Sequence, residues 1–195
     1  GLVSVDGVFP LGKTADSAGP MARSAEDAAI MLGAMVGDLD QYISPLKGLS
    51  LRGLRIGVER SWVEEETDDE VFDLWSHALL ILIDLGASLV GITIPEPKDL
   101  HAVYRDIVNY EAFNVHKELF LLHGHEYGPE ALRRMESGQS VTDEAHQSAL
   151  DQKKEITALA NRVFQTVDVI ALPTQPTTAP FLGSETARFK GGTVR

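Results

Sequence analysis

The chain has 195 residues, a net charge of −12 from 29 acids against 17 bases, 44% apolar residues and no cysteine. That length suffices for one domain with a real core, and a mean hydropathy of −0.05 is that of a soluble globular protein with no apolar run long enough to span a bilayer. The acidic balance repels phosphate backbones and argues against direct nucleic-acid binding, while the missing cysteines exclude thiol catalysis, disulfides and cysteine-based zinc sites, with the cytoplasm as the default compartment.

No signal peptide and no initiator Met stand at the N-terminus, where Gly1 opens into Leu2-Val3-Ser4; this start is expected to be a cut inside a longer chain. Ser24 followed by Asp27 reads as a capping-box variant that opens a helix. Ala28, Ala29, Met31, Leu32, Ala34 and Met35 give that helix an apolar face, and Gly37 ends it. Residues 38–53, with Asp38, Asp40, Ser44-Pro45 and Gly48, read as a loop. Leu54-Arg55-Ile56-Gly57-Val58 reads as a short strand. The acidic run Glu64-Glu65-Glu66-Thr67-Asp68-Asp69-Glu70 then reads as the solvated start of a helix from about 68 to 85, ended by Gly86.

Residues 88–94 form the second predicted strand, stopped by Pro95 and Pro97. Three helices follow, at about 100–122, 129–136 and 142–165, with Pro129 suited to a first turn and Thr142 to a cap. Asp168-Val169-Ile170-Ala171-Leu172 has the apolar character of a buried strand and leads into a proline-rich loop over 173–180. Residues 183–195 are poor in apolar side chains and read as a flexible tail. The order strand, helix, strand, helices, strand predicts an α/β fold with partly parallel strands and helices on the sheet faces. Residues 1–182 read as one domain or a large piece of one.

Few of the familiar catalytic patterns occur. There is no Gly-Xaa-Ser-Xaa-Gly elbow and no glycine-rich phosphate loop. Ser44-Pro45-Leu46-Lys47 matches Ser-Xaa-Xaa-Lys in form only and reads as a surface turn. His123, His125 and Glu126, with His116 seven residues before His123, are the one grouping with metal-ligand character; an exposed loop around Gly124 is the plainer reading. Arg133-Arg134 has the fork chemistry to hold a carboxylate, against a solvated helix face. Asp16 either closes an Asx-turn or orients a partner.

Several blocks in order resemble the amidase signature family. Gly1-Leu2-Val3-Ser4, Gly7-Val8-Phe9-Pro10-Leu11, Asp16, Gly19-Pro20-Met21, Arg23 and Asp27 are similar to the segment that follows that family's catalytic Ser. Leu51 to Val58, Leu85-Gly86-Ala87 with Val90, Tyr104 to Ala112, and Asp168 to Pro180 resemble later blocks. The resemblance implies a mixed sheet flanked by helices, part of the amidase-signature fold. It also implies amide hydrolysis or transfer by a Ser nucleophile, a second Ser joined by a cis peptide, and a Lys base.

None of those catalytic residues maps onto this chain. They are expected upstream of Gly1, and Ser4, Ser17 and Lys13 fall too late in the matched order to replace them. The family's closing segment is expected beyond Arg195. By resemblance, Asp16, Gly19, Pro20 and Arg23 brace the loop under the active site. Arg134 resembles an Arg that contacts a carboxylate-bearing substrate in the A-type chains of amidotransferases, and Thr174 lies after a strand end of the kind that lines α/β sites.

The resemblance implies a small-molecule amide substrate, no cofactor and no metal, with homo-oligomerisation open. Two further readings stand beside the amidase: the A subunit of a glutamine-dependent aminoacyl-tRNA amidotransferase, and a non-catalytic binding or scaffold module.

Overall fold

The computed structural model describes residues 1–48, 50–184 and 186–194. The chain divides into two compact units, Gly1–Leu49 with Pro97–Glu155 and Ser50–Glu96 with Ile156–Arg195.

The second unit is built on a three-stranded sheet of β1 (Arg55–Val58), β2 (Ser88–Gly91) and β3 (Val169–Ile170), in the order β2-β1-β3. Both neighbours run parallel to β1, with Ile56 opposite Leu89 on one side and Val169 on the other. Parallel strands need a crossover, and α3 (Ser61–Glu66) and α4 (Asp69–Asp84) supply it between β1 and β2. The crossover carries the core: Val63, Trp75 and Leu79 are buried together, with Val58, Trp62, Phe72, Leu82 and Ala171 packed against them. At the start of β1, the Arg55 N–H donates to Asp168 Oδ2 at 2.8 Å and its guanidinium to Oδ1 at 2.7 Å. This pins β1 beside β3.

The predicted strands are all present, though shorter than expected, and the strand pairs are wholly rather than partly parallel. The acidic run holds two helix ends instead of one start. Glu64 to Glu66 close α3, Thr67 is its C-cap, and α4 begins at Asp69. The sequence reading places no strand after residue 172, but β4 (Ala187–Phe189) and β5 (Gly192–Val194) pair as an antiparallel hairpin. Its turn is fixed by polar contacts: the Lys190 N–H donates to Asp68 Oδ1 at 2.8 Å, and its ammonium donates to the Glu64 carbonyl at 3.1 Å and Asp69 Oδ1 at 3.2 Å.

In the first unit, α1 (Ala25–Val36) has the expected ends. Ser24 Oγ accepts the Asp27 N–H at 3.0 Å, and Gly37 terminates the helix at φ 79°, a conformation that favours glycine. Residues 38–53 are not all loop: Asp38 caps α2 (Leu39–Ile43), and a 3₁₀ turn covers Ser44–Leu46. The long helix α5 (Pro97–His123) starts at Pro97, since proline fits a first turn where the N–H has no partner anyway. It is followed by α6 (Pro129–Gln139) and α7 (Asp143–Val163), whose last turns belong to the second unit. Gly138 lets α6 approach α5 closely, because a Cβ there would lie 2.7 Å from Phe113 Cβ.

Candidate functional site

The turn from Pro10 to Asp16 in the first unit is tied both within itself and to neighbouring helices. It closes on itself first. The Asp16 carboxylate accepts the Leu11 N–H at 2.9 Å and the Gly12 N–H at 3.2 Å, while the Gly12 carbonyl accepts from Ala15 and Asp16 at 3.0 and 2.9 Å. A short acceptor side chain bonding backbone N–H groups nearby is what makes Asp a turn former.

Helices then hold the turn from outside. Glu111 on α5 accepts the Thr14 N–H through Oε2 at 2.9 Å, and Lys153 on α7 donates to the Thr14 carbonyl at 3.3 Å. His116 Nε2 lies 3.1 Å from the Pro10 carbonyl, and its ring packs 5.2 Å from the Phe9 ring. Gly12 is buried, and a Cβ on it would sit 3.2 Å from Glu111 Oε2.

Around Glu111 lies a polar cluster. His146 Nε2 is 3.7 Å from Glu111 Oε1, with side-chain exposures of 17% and 11%, so an ion pair made by the protonated ring would be only partly screened by water. The His146 ring stacks on Tyr110 at 4.0 Å, and the Tyr110 hydroxyl donates to Asp143 Oδ1 at 2.8 Å. That hydrogen bond, with burial and the Asp143 charge, raises the phenol above its ordinary pKa.

The residues singled out from sequence fall in several places. Asp16 is half-buried and closes the turn as described. Gly19 is exposed with open space where a Cβ would stand, Pro20 is half-buried, and Arg23 is exposed just before the α1 cap. Arg134 is exposed on α6 and its guanidinium faces a carboxylate of its own helix, donating to Glu130 at 3.4 Å. Arg133 binds the other Glu130 oxygen. The hydrogen bond and charge of Arg133, helped by Arg134, hold Glu130 below the ordinary carboxylate pKa. Thr174 is exposed in the second unit, four residues past the end of β3.

His116 is occupied by Pro10 rather than grouped with His123. His123 and His125 approach Glu126 at 2.8 and 3.7 Å, and among the described residues no group of three or more His, Cys, Asp or Glu side chains is placed to hold a metal. Ser44 opens the 3₁₀ turn that Lys47 closes through its own N–H, at 3.2 Å from the Ser44 carbonyl. Sequence reasoning gave no role to Glu111, Lys153 or His146. Glu111 and Lys153 lie 97 and 139 residues from Thr14, and no local pattern joins them.

A model of the amidase family matches residues 1–193. The chain belongs to the amidase signature family. Among curated relatives, the A-type chain of the Rhodospirillum rubrum glutamyl-tRNA(Gln) amidotransferase is 30% identical over 89% of this chain and 41% of its own length. An amidase of Pseudomonas putida is 29% identical over 100% of this chain and 44% of its own length. The chain thus spans less than half the length of the curated relatives it matches.

Solved structures agree on the fold. A crystal structure of an amidase superposes with a TM-score of 0.87 at 27% identity, over 100% of this chain and 43% of that one. The A-type chain of the Thermotoga maritima glutamyl-tRNA(Gln) amidotransferase superposes with a TM-score of 0.72 at 25% identity, over 94% and 42%. In amidase-signature terms, the α/β architecture above is the portion of the fold that both relatives share with this chain. Among the described residues, no helix is long and apolar enough to cross a membrane.

Proposed function

We propose that this chain is the middle portion of a cytoplasmic serine hydrolase that cleaves amides by a Ser-cis-Ser-Lys mechanism. In this reading the catalytic residues belong to a segment before Gly1. The Lys deprotonates the nucleophile through the middle Ser, the nucleophile attacks the amide carbonyl, and an acyl-enzyme forms that water resolves. Backbone N–H groups beside the nucleophile hold the oxyanion.

Residues 1–182 supply scaffold and part of the substrate pocket. Asp16, Gly19, Pro20 and Arg23 brace the loop that follows the catalytic stretch, and Arg134 in the first unit and Thr174 in the second are separate candidates for substrate contact. The observation that carries the reading is the family match over residues 1–193, in a chain covering 41% and 45% of two amidotransferase relatives. The Asp16 turn supports the bracing role, because it is closed by its own carboxylate and tied to two helices.

The second reading, the A-type chain of an amidotransferase, is favoured by the recurrence of such chains among the relatives. The experiment measures ammonia release from a panel of simple amides and from glutamine, using the natural gene product with and without partner chains, beside the 195-residue chain. The amidase reading expects turnover of simple amides by the natural product alone and none by the 195-residue chain. Glutamine turnover that depends on partner chains would replace it with the amidotransferase reading. Turnover by the 195-residue chain itself would overturn the placement of the catalytic residues.

A further inference from the structure

We propose that Glu111 and Lys153 form a latch on the backbone of Thr14, and that His146 makes the grip of this latch proton-dependent. The latch stands apart from the amide chemistry. Its consequence, a fixed turn after the catalytic stretch, rests on the proposed function.

The turn over residues 10–16 is closed internally by Asp16, so Asp16 sets its shape but not its attachment. Attachment at Thr14 comes from both sides of one residue. The N–H goes to Glu111 on α5 and the carbonyl to Lys153 on α7. An anionic acceptor suits the N–H and a cationic donor suits the carbonyl.

Glu111 uses only one oxygen on Thr14. The other, Oε1, faces His146 Nε2 at 3.7 Å, beyond hydrogen-bond length but within ion-pair reach. His146 Nε2 is buried and has no hydrogen-bond partner among the described residues. A neutral ring offers this oxygen at most an uncharged N–H, at a separation too long for a hydrogen bond. A protonated ring adds a positive charge beside the same oxygen, favours the ionised carboxylate, and rigidifies the side chain that holds Thr14.

The groups that face His146 are Glu111 and Tyr110 on α5; Tyr110 is in turn bonded to Asp143 on the helix of His146, while Lys153 on that helix and Asp16 on the turn belong to the ties of the turn itself. Carboxyl groups ordinarily titrate near ~4 and phenols and ammoniums near ~10, whereas imidazoles titrate near ~6.5. Of these side-chain chemistries, only an imidazole ordinarily changes charge between about pH 7.5 and 5.5. His116 is the other imidazole on this segment. Either the neutral or the protonated ring can donate to the Pro10 carbonyl, so this tie does not depend on its charge.

The test is amide hydrogen exchange of the full 195-residue chain, read as protection factors so that the intrinsic pH dependence cancels. Thr14 is the reporter. The Asp27 N–H, bonded to Ser24 Oγ in a separate helix cap, is the control. From about pH 7.5 to 5.5 the Thr14 protection is expected to rise about three- to fivefold, the size of one partly screened ion pair. His146→Phe keeps a ring to stack on Tyr110 and is expected to abolish that rise, and His116→Gln to retain it.

Glu111→Ala is expected to lower Thr14 protection about tenfold, and Lys153→Met several-fold, with Asp27 unchanged. If Glu111→Ala exposes every amide, Glu111→Gln decides. It keeps an acceptor oxygen, so Thr14 protection at about pH 7.5 is expected within about twofold of wild type, with the pH rise gone. Unchanged Thr14 protection in Glu111→Ala, or a pH rise that survives in His146→Phe or Glu111→Gln, overturns the proposal. None of these readouts depends on amide turnover, so the latch and the enzymatic reading fail separately.

Discussion

The turn at residues 10–16 and the α3–α4 crossover are ordered by opposite means. The crossover packs apolar side chains: Val63 is 0% exposed, and Trp75 and Leu79 are 8% and 6% exposed. Its energy comes from area removed from water and from close contact, and no single polar partner decides it. The turn has no such core. Leu11 within it, and Phe9 and Met21 on either side, are exposed. What holds it is a short set of backbone hydrogen bonds, accepted by Asp16 and Glu111 and donated by Lys153, with His116 on the Pro10 carbonyl. Apolar packing tolerates small shifts and resists unfolding as a block. Polar ties specify one geometry and can be released singly.

The largest expected effect breaks the apolar side of this comparison. Trp75→Ala should cost about 3–5 kcal/mol in urea unfolding, as truncation of a buried aromatic does; a loss below about 1 kcal/mol would mean that the cluster is not a packed core. Next is Gly138→Ala, where the new Cβ meets Phe113 at 2.7 Å. Overpacking of this kind costs about 1–3 kcal/mol, read as a lowered melting temperature, and a neutral outcome would show that α5 and α6 can part without penalty.

Asp16→Ala sharpens the polar side. It is expected to cost about 1–2 kcal/mol locally, seen as faster hydrogen exchange at Leu11 and Gly12, with the urea midpoint of the α3–α4 core unmoved. A shift of that midpoint would mean that the turn and the core are not separable in the way described.

The smallest effect concerns Asp168. Its hydrogen bonds from the Arg55 side chain and backbone bring its pKa down to about 2, and desolvation opposes them. A folded value below the ordinary one gives stability that is present above about pH 4 and is lost as the pH falls toward that folded value. Both side chains are well exposed, at 44% and 38%, so the contribution is modest. Asp168→Asn should flatten the acid limb of the stability curve between about pH 4 and 2. An unchanged limb would remove Asp168 from the acid response.

The same contrast explains what could be read from the residues. Apolar periodicity and caps are local, so the α1 ends at Ser24 and Gly37, the strand at Arg55–Val58 and the helix before Gly86 were legible. Where local signals overlap, reading failed. Asp38 follows Gly37 directly, so the cap of α2 was hidden behind the stop of α1. The acids on either side of Thr67 belong to two helices but look like one run. The β4–β5 hairpin has little apolar content, and its anchoring partners Glu64, Asp68 and Asp69 lie over 120 residues away.

The Thr14 ties were illegible for the same reason. Glu111 stood within a recognised block, yet nothing in that block names Thr14 as its partner. Family resemblance pointed to the segment as a whole, whereas its physical organisation needed coordinates.

The central proposal is that this chain supports a catalytic Ser lying outside residues 1–195. The most direct test labels the natural gene product with a fluorophosphonate probe and maps the modified residue by peptide mass spectrometry. The account predicts a single labelled Ser in the segment preceding Gly1 and no label anywhere in residues 1–195. A label on a Ser within these residues would contradict it.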